Sequence, residues 1–125
     1  MCQPIKLYVD DLRDIPAGYV GARTIEEAID FLENPAYMIT HLSLDHDMGE
    51  DLNGHLLATG QDLVRTIGER GLYAQKIYIH TQNSYGRSAM FSSLESFKRH
   101  GLIKEDIELY NYSITPDTYT EPDNK

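Results

Sequence analysis

Leu42-Ser43-Leu44-Asp45-His46-Asp47 is an apolar strand that ends abruptly in two carboxylates and an imidazole. Outward from it, Ile5-Lys6-Leu7-Tyr8-Val9 stops in the same way at Asp10-Asp11, and Lys76-Ile77-Tyr78-Ile79 runs into His80-Thr81-Gln82-Asn83. In parallel α/β sheets the carboxyl ends of the strands line one edge, and ligands bind there. Three neighbouring strands that finish in acids, imidazoles and amides predict a dense polar cluster at that edge. Such a cluster suits a cation, a phosphate or both.

The rest of the chain supplies the elements of such a sheet. The pattern predicts a buried strand over 5–9, a turn region from Leu12 to Gly18, and a short strand over 19–23. Thr24-Ile25-Glu26-Glu27 matches a capping box, in which the Thr hydroxyl and the Glu carboxylate serve free amides of the first turn. Ile25, Ala28, Ile29 and Leu32 follow at helical spacing, and Asn34-Pro35 stops the helix. A strand over 39–45 leads into a polar, Gly-containing loop over 46–58, long enough to act as a functional lid. Leu63, Val64 and Ile67 mark a second helix closed by Gly71, and residues 75–80 a fourth strand. Met90, Leu94 and Phe97 mark a third helix, capped by Asn83 or Ser84 and ended by Gly101. Residues 107–114 alternate and predict a final strand.

The order β-β-α-β-α-β-α-β predicts an α/β, flavodoxin-like, open and mostly parallel five-stranded sheet with helices on its faces. One helix is missing, because the 12–18 segment is too short and too broken for the crossover expected after strand one. Residues 1–115 are expected to form a single domain, and 116–125 an acidic, flexible tail.

At 125 residues the chain suffices for one core without staples. Its single cysteine, Cys2, excludes an internal disulfide and a Cys-based zinc site. Asp10, Asp11 and Asp14 interrupt the N-terminal region as no signal peptide would, and no run is apolar enough to span a bilayer. The expected compartment is the cytoplasm, with no membrane partner. Eleven basic against twenty acidic residues give a net charge of −9, which disfavours broad nucleic-acid binding. A small phosphorylated ligand or a phosphorylated nucleic-acid end stays compatible, since a bound divalent ion reverses the local sign. No feature identifies a protein partner.

In a 2-1-3-4-5 strand order, strands one and three are neighbours, so Asp10, Asp11 and Asp45 converge. Carboxylates held together raise one another's pKa unless a cation lies between them, and Mg²⁺ or Mn²⁺ takes such oxygen ligands. The bland alternative is that Asp10 and Asp11 cap a turn. His46 with Asp47 reads as a general acid/base, as a metal ligand with its orienting acid, or as a loop histidine hydrogen-bonded to an adjacent carboxylate. His80 reads as a catalytic acid or base, or as a buried histidine satisfied by backbone. Thr81, Gln82, Asn83 and Arg87 offer donors to phosphate oxygens, Arg87 from a first helical turn or else as a solvated residue. A calcium loop starting at Asp45 fails, because its fifth position is Gly49 and its twelfth is Leu56. No G-x-S-x-G, HExxH, Walker or GxGxxG pattern occurs.

Leu7-Tyr8-Val9-Asp10-Asp11-Leu12-Arg13, Ala22-Arg23-Thr24 with Glu27-Ala28, Ser43-Leu44-Asp45-His46-Asp47, and Ile79-His80-Thr81-Gln82-Asn83 with Gly86-Arg87 and Met90 form an ordered set. Over roughly residues 5–100 this set resembles the cyclic-phosphate-processing receiver-like domain family. The resemblance implies a receiver-like fold that has lost the helix after strand one. It also implies that Asp10 and Asp11 occupy the metal-binding acidic pair and Asp45 the phosphoacceptor position. His46, Asp47 and His80 are additions that a signalling receiver does not carry. Signalling receivers also place a Lys before a Pro after the last strand, where this chain has Thr115-Pro116.

The function expected is a metal-dependent phosphoesterase acting on a cyclic phosphate, such as a 2′,3′-cyclic phosphate nucleotide or RNA end. Asp10, Asp11, Asp45 and Asp47 form its metal set, Asp45, His46 and His80 its catalytic set, and Thr81, Gln82, Asn83 and Arg87 hold phosphate. Asp45 is open to two roles, metal ligand or direct nucleophile. The alternative is a non-catalytic phosphoreceiver, or a module that binds and sequesters a phosphorylated ligand.

Overall fold

The chain runs β1 (Gln3–Val9), β2 (Tyr19–Ala22), α1 (Ile25–Glu33), β3 (Tyr37–Leu44), α2 (Gly60–Arg70), β4 (Lys76–Ile79), α3 (Ser84–Arg99) and β5 (Glu108–Tyr110). The structure is a computed structural model and describes residues 3–10, 15–46, 59–81 and 84–111. The five strands form one sheet in the order β2-β1-β3-β4-β5, and every neighbouring pair is parallel. The expected flavodoxin-like order holds, with a sheet that is wholly rather than mostly parallel. Among the described residues no helix is long and apolar enough to cross a membrane.

Three crossovers, through α1, α2 and α3, all step in the same direction across this sheet. Right-handed crossovers of one direction lie on one face, so the described helices form a single layer. Ile5, Leu7 and Val9 of β1, Leu42 and Leu44 of β3, and Ile77 and Ile79 of β4 meet that layer. They pack with Ile25 and Ala28 of α1, Leu63, Val64 and Ile67 of α2, and Met90 and Leu94 of α3 in one buried cluster. The described part of the link from β1 to β2, residues 15–18, carries no helix.

Side chains alternate along a strand, so the intervening positions belong to the other face. There the sequence supplies Lys6, Tyr8, His41, Ser43, Tyr78 and Tyr110. Tyr78 stacks on Tyr110 with ring centroids 4.7 Å apart, and Tyr8 stacks on His80 at 4.2 Å. This aromatic and polar surface is the floor from which the site rises.

Several local expectations shift by a residue or two. β1 starts at Gln3 and β3 at Tyr37, because Gln3 and Pro4 pair with Tyr37 and Met38 across a register irregularity at Ile5/Lys6. Neither a Gln nor a Pro contributes to an apolar run, which is why patterning stops short of them. Asp45 and His80 stand just past the ends of β3 and β4 rather than inside them. Among the described residues β5 covers Glu108–Tyr110, and residues 112–125, which include the end of the expected strand and the expected tail, lie outside them. So do residues 47–58, which contain most of the expected 46–58 loop.

At α1 the Thr24 side chain accepts from the Glu27 amide as expected, but the Glu27 carboxylate takes the amide of Arg23, not that of Thr24. A complete capping box is found instead at α2, where Thr59 and Asp62 serve each other's amides. Its Asp at the third helical position falls outside the usual Glu/Gln pattern, which hides it from the sequence. Gly71 closes α2 in the left-handed region, at φ 62°.

Candidate metal and phosphate site

Register assembles the site. Val9 pairs with Leu44, and Leu44 with Ile79, so Asp10, Asp45 and His80 stand one step further on at the same level of three adjacent strands. The ladder continues through them: the Asp45 amide donates to Val9 O at 3.1 Å and the His80 amide to Leu44 O at 2.7 Å. Asp10 is also tied to β2, its amide donating to Ala22 O and its carbonyl accepting from Arg23 Nη1 at 3.0 Å. One ligand atom from each of Asp10, Asp45 and His80 lies within 4.8 Å of the other two.

All three side chains are withdrawn from water. Asp10 is 1% exposed, His80 0% and Asp45 9%. His80 Nε2 lies 3.0 Å from Asp10 Oδ2, and His80 Nδ1 lies 2.6 Å from Ser43 Oγ. The imidazole is nearly parallel to the Tyr8 ring, at 7°. Burial, and after it the neighbouring Asp10 carboxylate, push the Asp45 carboxyl above the ordinary carboxylate range. His80, a hydrogen bond from Thr81 and the His46 amide, 2.8 Å from Asp45 Oδ1, oppose that shift without cancelling it.

Two helix starts close on the strand end after β3. The Gly60 amide donates to His46 O at 2.9 Å, and a Cβ on Gly60 would overlap the carbonyl oxygen of Asp45. A Cβ on Gly86, in the first turn of α3, would lie 2.6 Å from the His46 ring. His46 therefore leaves the strand end toward α3, half-buried, while Asp45 stays with Asp10 and His80.

Asp10, Asp45, His80 and Thr81 are thus brought together, with His46 alongside. Arg87 is half-buried on α3, one residue beyond Gly86, and makes no hydrogen bond or ion pair with another described residue. Asp11, Asp47, Gln82 and Asn83 lie outside the described residues. The sequence assigned no role to Ser43, Tyr8, Gly60 or Gly86, although all but Gly60 stand in its motifs. Ser43 carried a signal, since a residue two before Asp45 shares its face of the strand. The two glycines carried none, because nothing local says what will approach them.

The donor set fits a hard divalent cation. Two carboxylates drawn together out of water make each other's ionisation costlier, and oxygen ligands are what Mg²⁺ and Mn²⁺ take. A carboxylate has two oxygens, so the bond from His80 to one oxygen of Asp10 is compatible with ligation.

No curated protein and no solved structure matches the chain significantly. The family model for the cyclic-phosphate processing receiver domain matches residues 5–96. That span holds β2, β3, β4, α1 and α2 whole, most of β1 and α3, and every residue of the candidate site, and the chain belongs to this family.

Proposed function

We propose that this domain is a divalent-metal-dependent phosphoesterase that opens a cyclic phosphate, such as a 2′,3′-cyclic phosphate nucleotide or RNA end. The observation that carries the reading is the meeting of Asp10 and Asp45, out of water and mutually repelling, at the carboxyl edge of the sheet. The family's name, cyclic-phosphate processing, supports the substrate class.

Asp10 and Asp45 would hold the cation, with Asp11 and Asp47 as further oxygen donors. When bound, such an ion polarises the phosphoryl group and lowers the pKa of attacking water. His46 is the proton-transfer group at the edge. Thr81 steadies Asp45, and Arg87, with Gln82 and Asn83, would steady phosphate oxygens. Ring opening adds water to phosphorus and breaks one phosphorus–oxygen bond to the sugar. The departing oxygen takes a proton, and a phosphomonoester remains. Should Asp45 attack phosphorus itself, water then cleaves the acyl phosphate.

Hydrolysis of a nucleoside 2′,3′-cyclic phosphate with Mn²⁺ or Mg²⁺ tests the reading, native protein against Asp10→Asn and Asp45→Asn. Metal-dependent turnover lost in both variants is expected. Metal binding without turnover would favour the phosphoreceiver or sequestering module, and would be followed by phosphorylation of Asp45 from a small acyl-phosphate donor.

A further inference from the structure

Ser43 and His80 are both 0% exposed, and a buried polar side chain is retained only where its hydrogen bonds are met. Ser43 Oγ meets His80 Nδ1 at 2.6 Å, and His80 Nε2 meets Asp10 Oδ2 at 3.0 Å, so one imidazole bridges two strands to the left of its own. As a hydrogen bond from the imidazole to a carboxylate oxygen, the 3.0 Å contact puts the hydrogen on Nε2. The serine hydroxyl, which donates or accepts, serves Nδ1. An imidazole nitrogen that carries a hydrogen has no lone pair for a metal, and one whose hydrogen is held by Asp10 is not poised to protonate a leaving group. Tyr8 fixes the remaining freedom by stacking on the ring.

We propose that His80 is a positioning residue, locked by Ser43, that aims the Asp10 carboxylate, instead of the catalytic acid or base its place in the sequence suggests. The proposal rests on the cation reading of the site for its consequence, though not for its geometry. Ser43 and His80 then stand behind Asp10 as a histidine and its orienting partner stand behind a metal ligand, an arrangement whose loss typically weakens metal binding about 10–100-fold.

Two measurements on the whole chain test it. Imidazole ¹⁵N shifts of His80 report which nitrogen carries hydrogen. A protonated Nε2 is expected in the native protein, with that single arrangement lost in Ser43→Ala, and an Nε2 without hydrogen overturns the proposal. Calorimetric titration with Mn²⁺ is expected to show about tenfold weaker binding in Ser43→Ala, with no further loss when the change is made in His80→Gln. Native affinity in a folded Ser43→Ala, or equal losses in both backgrounds, overturns it as well. A native protein that takes up no Mn²⁺ instead removes the cation reading, and the nitrogen shifts alone then decide the lock. Far-ultraviolet dichroism and thermal melting confirm that each variant is folded.

Discussion

Gly86 and His46 are so close that one added methyl group on the glycine would lie 2.6 Å from Cγ and Cδ2 of the imidazole. The first turn of α3 and the residue after Asp45 therefore share a contact that no other side chain at position 86 permits. His46 is set against that turn by packing.

Gly86→Ala should expel the imidazole from this seat or push α3 outward. Overpacking of this kind costs about 1–3 kcal/mol of stability. If His46 transfers a proton in the reaction, displacing it by about an ångström should lower turnover of a cyclic phosphate by up to about 100-fold. In a His46→Ala background the same change should cost little further activity. Steady-state kinetics and urea unfolding of the two single variants and the double variant measure both effects.

Asp45 should weaken the fold it serves. Its folded-state pKa is raised, by burial first and by Asp10 second. A folded chain that holds this proton more tightly than the unfolded chain gains stability below the ordinary value of 3.8. That contribution is lost as pH rises through the raised folded value, and above it the ionised carboxylate is a constant penalty. Asp45→Asn keeps an acceptor oxygen for the His46 amide and removes the charge. Without added metal, the variant should be more stable than the native protein at pH 7, with the difference vanishing near pH 3. Denaturant unfolding across that range, in a chelator, gives the sign.

A divalent cation should reverse the same penalty. Binding to the folded state alone stabilises by about 2.7 kcal/mol at a ligand concentration one hundred times Kd. Thermal melting should therefore show a rise in Tm with Mn²⁺ that a chelator undoes. Asp10→Asn and Asp45→Asn should each abolish that rise. An equal rise in both variants would place the ion elsewhere.

Thr59→Ala should cost about 1 kcal/mol, the usual penalty for a lost N-cap. The Thr59 hydroxyl accepts the Asp62 amide and is lost, while the Thr59 amide that donates to the Asp62 carboxylate is kept. The next residue, Gly60, donates to His46 O, so the frayed turn also loosens the strand end behind the site. Hydrogen exchange at the Gly60 amide should quicken in the variant, a local readout separate from the global unfolding free energy.

Local chemistry settled the alternation of strands and helices and the polar stops after Val9, Leu44 and Ile79. Apolar period, caps and turn residues act within a few positions, so they are legible in one dimension. The shortened link between β1 and β2 was legible for the same reason. The convergence of Asp10 and Asp45 followed from strand order once a parallel sheet was granted.

Tertiary structure alone decided the partners. His80 meets Asp10 across 70 residues of chain and Ser43 across 37. Gly86 receives His46, and Gly60 the carbonyl of Asp45, only because helix starts descend on the end of β3. Such contacts depend on register, crossover handedness and the depth to which each helix packs, none of which a local pattern encodes. By itself the sequence determined that acids and imidazoles crown this sheet. Packing decided that one imidazole faces α3 and the other is buried between a serine and a carboxylate, because burial leaves each polar atom only the neighbour that can satisfy it.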